Sequence, residues 1–108
     1  MKKITAYIKP HKLHVVNMAL QKIKGLTGLS ISSVRGFGYS FQGKVEQVRD
    51  LTEHDKVEII CLNELADQIV EVIQHAAHTG LQGDGKIYVA EIIKAIRISA
   101  GEQEEVAV

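Results

Sequence analysis

Ile4, Ala6 and Ile8 alternate with Thr5 and Tyr7, and this period of two predicts a strand over residues 3–9, "KITAYIK". Pro10 ends that strand and suits the first turn of a helix. Leu13, Val16, Leu20 and Ile23 then recur at steps of three and four, a single apolar stripe on a helix. Gly25 and Gly28 close the helix and turn the chain. "LSISSVRG" at 29–36 and "KVEIICL" at 56–62 are β-branched and predict a second and a third strand. Asn63 is placed to cap a second helix, marked by Leu65, Ile69, Val72, Ile73, Ala76 and Ala77 and ending at Gly80. "KIYVAEI" from Lys86 predicts a fourth strand, and "KAIRIS" from Lys94 a short final one.

Between Gly36 and about Asp55 the periodicity fails, in a polar, glycine-bearing stretch that is long for a connection in so compact a chain. Segments of that kind tend to carry function. The element order is β-α-β-β-α-β, with strand, helix, glycine turn and strand occurring twice. It predicts one α+β domain over residues 1–108, a ferredoxin-like sandwich with an antiparallel sheet and both helices on one face. Tyr7, Ser32 and Tyr88 point to the other face, which a homo-oligomer would cover.

Composition narrows the function. Thirteen basic residues balance thirteen acidic ones, which argues against non-specific nucleic-acid binding by the chain as a whole. The single cysteine, Cys61, excludes a disulfide scaffold, reads as a small core residue and makes a reduced, cytoplasmic setting the default. No apolar stretch is long enough to span a bilayer, and no signal peptide is expected. No Ser-His-Asp or Cys-His arrangement stands out, so no catalytic residue is assigned and a non-enzyme is expected. An RNA-binding module on the same plan would need sheet aromatics, but aromatic content is 5% and the RNP pattern is missing.

The densest chemistry is in "HTGLQGDGKIYV", where Gly80, Gly83 and Gly85 fall within six positions. Glycine takes positive φ freely, so successive N–H groups can converge into an anion-binding concavity. Lys86 adds a positive charge for a phosphate. A tight turn beside a solvated lysine is the plain alternative, and the spacing is neither a Walker A motif nor a dinucleotide fingerprint. "RGFGYS" at 35–40 is a second glycine pair, and Arg97 stands in "IRISAGE" beside another glycine. If the strand before the long loop lies near the strand after the second helix, these groups could surround one polyphosphate.

"MKKITAYIKPHKL", "VRGFG", "TGLQGDGKIYV" and "IRISAGE" together resemble the PII-type signal proteins, the nitrogen-regulatory family, in order along nearly the whole chain. The resemblance implies a homotrimer of ferredoxin-like subunits. ATP, ADP or AMP would bind in the clefts between subunits, with Mg²⁺ left open as an accompanying ion and no tightly bound cofactor. It implies a T-loop at about 37–55 that docks on a target protein, a membrane transporter among the candidates, a B-loop at about 79–86, and a C-terminal segment at about 97–108. By matching motif, Gly83, Asp84, Gly85 and Lys86 would cradle the phosphates, and Gly36, Phe37 and Gly38 would line the cleft. Ser30 would supply a hydroxyl, Ile60 an apolar wall, and Arg97 a phosphate contact from the neighbouring subunit.

The sequence also departs from the family pattern. Tyr39 and Ser40 follow "GFG", leaving Gln42 out of register with the Gln that helps hold Mg²⁺ and 2-oxoglutarate in nitrogen-regulatory members. The T-loop is shorter than usual and has no tyrosine matching the one that is uridylylated in some members. Ser99 replaces the second Arg of an R-x-R pair, and His11 replaces a common Phe. The competing reading is a CutA-like trimeric metal-tolerance protein using Cys61 and the pairs His75/His78 and His11/His14. It ranks lower because it leaves the GDGK loop without a purpose, and because solvated histidines explain those pairs as well. No metal ligand is assigned.

Overall fold

The computed structural model describes residues 1–37, 39–42, 45–48 and 51–108, and of 39–42 and 45–48 the backbone alone. The strands are β1 (Lys2–Ile8), β2 (Ser30–Gly36), β3 (Tyr39–Gln42), β4 (Val45–Val48), β5 (Thr52–Cys61) and β6 (Lys86–Glu91). The helices are α1 (Leu13–Gln21) and α2 (Asn63–Ala77), with 3₁₀ turns at Pro10–Lys12 and Glu104–Ala107. Four strands pair in the order β2-β5-β1-β6, antiparallel throughout. This is the split βαβ arrangement expected from the periodicity.

The core sits between the sheet and the two helices. Ile4, Ala6 and Ile8 of β1 and Val57, Ile59 and Cys61 of β5 meet Val16 and Leu20 of α1 and Ile69 and Ile73 of α2. Each fully buried branched side chain contributes about 1.5–3 kcal/mol, so this one layer accounts for most of what holds the helices down. The alternation that hides Ile4, Ala6 and Ile8 puts Lys3 and Tyr7 on the open face. There Glu58 lies 3.1 Å from Lys3 and 3.0 Å from Lys56, and the rings of Tyr7 and Tyr88 meet edge to face at 6.3 Å. Cys61 is buried, and burial pushes its thiol pKa up. Among the described residues no helix is long and apolar enough to cross a membrane.

Four expectations need correction. Asn63 does not cap α2: the cap position is Leu62, and the Asn63 carboxamide oxygen instead accepts a 2.8 Å hydrogen bond from the Met1 amino group. The helix ends at Ala77, because His78 is already extended and Gly80, at φ +80°, belongs to the turn beyond. The predicted final strand is only an isolated bridge between Ile96 and Gln103. Arg97 N–H bonds the Glu102 carbonyl and Gly101 N–H bonds the Arg97 carbonyl, so the segment folds back on itself instead of joining the sheet.

The fourth correction concerns the long loop. Within it β3 and β4 form an antiparallel pair, Tyr39 opposite Val48 and Gln42 opposite Val45. Strand β5 begins at Thr52, four residues before the expected Lys56. The alternation there is disguised because the inward position is a carboxylate. Asp55 is only 8% exposed and accepts a 3.3 Å hydrogen bond from the Ser33 hydroxyl on β2. A buried carboxylate with a partner satisfies the core as an apolar residue would, but it does not register as apolar in a periodicity count.

Candidate functional site

The glycine-bearing segment at 79–85 joins α2 to β6 at the sheet end formed by Ile8, Gly36, Thr52 and Lys86. It is organised around Asp84. One carboxylate oxygen accepts the Thr79 N–H at 2.9 Å and the Gly80 N–H at 3.3 Å. The other accepts the Thr79 hydroxyl and lies 3.2 Å from the Lys9 ammonium. Thr79 Oγ1 in turn accepts the Leu81 N–H at 3.1 Å. The Thr79 hydroxyl, then the Thr79 amide, hold the Asp84 carboxyl well below the usual carboxylate range, against the opposing effect of burial. Asp84 is thus the strap that shapes the loop, and its side chain faces Thr79 and Lys9.

The sign of the pH dependence follows. A carboxyl whose folded pKa is depressed contributes order that is complete above its unfolded pKa and is lost as pH falls through the folded value. The Thr79–Asp84 hydrogen bond should therefore survive down to pH of about 4 and fail only in stronger acid. The Thr79 amide proton, followed by NMR during an acid titration, should shift in that lower range and not above it. Asp84→Asn should abolish the titration.

Gly83 and Gly85 have φ of +81° and +101°. At Gly85 the need for glycine is also steric, since a Cβ there would lie 1.6 Å from the Tyr7 carbonyl oxygen. The loop is pressed against the end of β1, which leaves the backbone bare on its outer side. Beneath it a recess of about 420 Å³ opens between α2 and the start of β6, walled by Ile73, Ala77 and Ile87 and bordered by Asp84, Gly85 and Lys86. Lys86 opens β6 opposite Tyr7, and among the described residues its ammonium has no ion-pair partner.

The remaining sequence-predicted residues do not all meet here within one chain. β2 and β6 are opposite edges of the sheet with two strands between them, so the strands themselves are not neighbours as anticipated. The glycine loop narrows the gap, because His54 on β5 reaches across to it with Nε2 3.0 Å from the Gly83 carbonyl oxygen. Gly36 lies at the same sheet end, its carbonyl accepting a 3.3 Å hydrogen bond from the Thr52 hydroxyl, and Phe37 next to it is exposed. Gly38 lies outside the described residues. Ile60 is four residues farther along β5 than Lys56, about 14 Å away along the strand, and Ser30 stands beside Glu58 on β2. Arg97 is held elsewhere: Nη2 donates to the Val106 carbonyl at 3.1 Å and Nε lies 3.5 Å from Glu102.

Three residues of the loop's frame carried no assignment in the sequence: Lys9, His54 and Thr79. Thr79 had a local signal, since Asp84 stands five positions on and a hydroxyl with a carboxylate at that spacing can close a loop. His54 had none, being 29 residues from Gly83. The histidine pairs form no cluster: His75 and His78 are largely exposed, with Glu71 and Asp84 as their nearest acids. Among the described residues of the single chain no three His, Cys, Asp or Glu side chains are grouped so that they could hold a metal ion.

Comparison with known proteins agrees with the motif resemblance. The family model for nitrogen regulatory protein P-II matches residues 1–102. The nitrogen regulatory protein P-II of Haemophilus influenzae is 44% identical over 114 aligned positions covering all of both chains. That of Rhizobium meliloti is 43% identical, over 94% of this chain and 95% of its own. Nitrogen regulatory protein P-II 1 of Escherichia coli K12 is 40% identical over the whole of both.

Proposed function

The chain belongs to the nitrogen regulatory protein P-II family of signalling proteins, and we propose that it binds adenine nucleotides at the glycine loop and signals their state to a target protein. In this reading the protein is a regulator without chemistry of its own. It acts as a cytoplasmic homotrimer, and the segment at about 37–55 is the part that meets the target, whether an enzyme or a membrane transporter.

The observation that carries the reading is the loop at 83–86: two glycines at positive φ, one packed on the Tyr7 carbonyl, followed by a lysine without an ion-pair partner among the described residues. Bare amides beside a cation are suited to phosphate oxygens, whose negative charge they meet without a competing side chain. The dispersal of the other candidates supports completion of the site between subunits. Ser30 and Ile60 lie on strands that β1 separates from β6, and Arg97 is engaged by Val106 and Glu102 of its own segment; a neighbouring copy can present such residues to a ligand at Lys86. The exposed Ile93, just after β6, and Ile98 of the C-terminal segment, 91% and 98% accessible, fit a surface that another subunit covers.

Titration calorimetry of the intact protein with ATP, ADP and AMP tests this directly, with light scattering giving the mass of the particle. The expected result is a trimer that binds at least one of the three in the micromolar range, about −8 kcal/mol. A monomer, or absence of heat with all three at millimolar concentration, would overturn it.

A further inference from the structure

We propose that His54 is a positioning residue that sets the direction of the amide groups in the glycine loop and ties that loop to the strand carrying the long 37–51 excursion. The inference deepens the reading of the loop as a phosphate site and rests on it only for its ligand-bound half.

A side-chain contact joins β5 to the loop, His54 Nε2 to the Gly83 carbonyl oxygen at 3.0 Å. A carbonyl only accepts, so Nε2 is the protonated nitrogen here. The described peptide bonds are all trans. In a trans peptide the C=O and the following N–H point in opposite directions, so holding the Gly83 carbonyl also aims the Asp84 N–H. Gly83, at φ +81°, could let that peptide plane rotate. The Asp84 carboxylate does not prevent this, because its bonds run back to Thr79, Gly80 and Lys9 and leave the Gly83 carbonyl alone. Two anchors therefore divide the work: Asp84 closes the loop's entry, and His54 orients its outer peptide.

His54 is well placed to transmit the state of that peptide. It sits opposite Val34 on β2, and two residues before it Thr52 is paired with Gly36, whose carbonyl takes the Thr52 hydroxyl. Gly36 and Thr52 are the last paired residues before the chain leaves for β3 and the first after it returns from β4. A ligand that orders the Gly83–Asp84 peptide would thus also order the base of the excursion, through one side chain.

The test uses amide NMR of the intact protein, ¹⁵N relaxation for the ligand-free state and hydrogen exchange for the ligand-bound one. Wild type, His54→Ala and His54→Gln are compared without ligand and with ADP as the probe. Glutamine can offer an N–H at a reach similar to that of Nε2, whereas alanine offers none. Without ligand the Asp84 and Gly85 amides are bare, so the reading is the ¹⁵N order parameter of Asp84 N–H, which should fall from about 0.85 in wild type to below about 0.6 in His54→Ala and return in His54→Gln. Thermal midpoints should stay alike. With ADP, wild type and His54→Gln should gain protection at both 83–86 and 52–54, and His54→Ala at 83–86 alone. An unchanged ligand-free order parameter in His54→Ala, or failure of glutamine to restore it, would overturn the positioning role. ADP protection at 52–54 that persists in His54→Ala would overturn the transmission. If ADP does not bind wild type at all, the nucleotide reading and the transmission fall together, while the ligand-free comparison still decides what His54 does for the loop.

Discussion

Gly85→Ala should destabilise the protein by about 4 kcal/mol, adding a strained positive φ to an overpacked contact. The new methyl group would meet the Tyr7 carbonyl oxygen at 1.6 Å, and that oxygen is part of the backbone of β1, an inner strand of the sheet. A flexible side chain could move aside, but β1 cannot, because Tyr7 is paired with Lys56 on one side and Lys86 on the other. The loop must lift off the sheet end or the start of β6 must unpair. For a domain of this size the thermal midpoint should fall by about 15–25 °C. Gly101→Ala is the matched control: its φ is +73°, but nothing lies within 4 Å of the added Cβ. It should cost only about 1 kcal/mol, and equal losses in the two variants would show that conformation alone, not the contact with Tyr7, makes Gly85 necessary.

Lys86→Ala should leave the fold intact and weaken nucleotide binding by tenfold or more. The side chain is exposed at the first position of β6, so its removal opens no core cavity. A hydrogen bond to a charged group contributes about 1.5–3 kcal/mol, which corresponds to roughly 10–150-fold in affinity. The lost part should be the salt-sensitive part, so raising ionic strength should weaken wild type more than the variant. Lys24→Ala, on the exposed turn after α1, should change nothing. Unaltered affinity in Lys86→Ala, measured by calorimetry alongside wild type, would remove the lysine from the phosphate site.

How legible the molecule is in its sequence depends on the range of the interactions concerned. The β1 alternation and the α1 and α2 stripes could be read because burial there is carried by apolar side chains at a fixed period, with Ile4, Leu20 and Ile69 fully buried as expected. The start of β5 could not, because Asp55 fills an inward position with a carboxylate satisfied by Ser33 on another strand. Asn63 looked like a cap because caps are judged locally, whereas its actual partner is the amino group 62 residues away. The glycine loop was legible because backbone constraint leaves glycine in the sequence whatever its cause. Its cause, the Tyr7 carbonyl under Gly85, was not. Ser30 and Ile60 became candidates through family resemblance alone, Arg97 first through its place beside a glycine, and in the single chain Ser30 and Ile60 lie on strands that β1 separates from β6.

The sole thiol of the chain offers an experimental handle of another kind. Cys61 ends the longest strand of the sheet, is paired with Lys2 of β1 and is buried, which pushes its thiol pKa up. A maleimide or disulfide reagent therefore finds it only when the sheet opens. The rate at which the reagent reacts is a clock for the opening of that sheet end; it requires neither tryptophan, which the chain lacks, nor an engineered label, and every variant above could be timed against it.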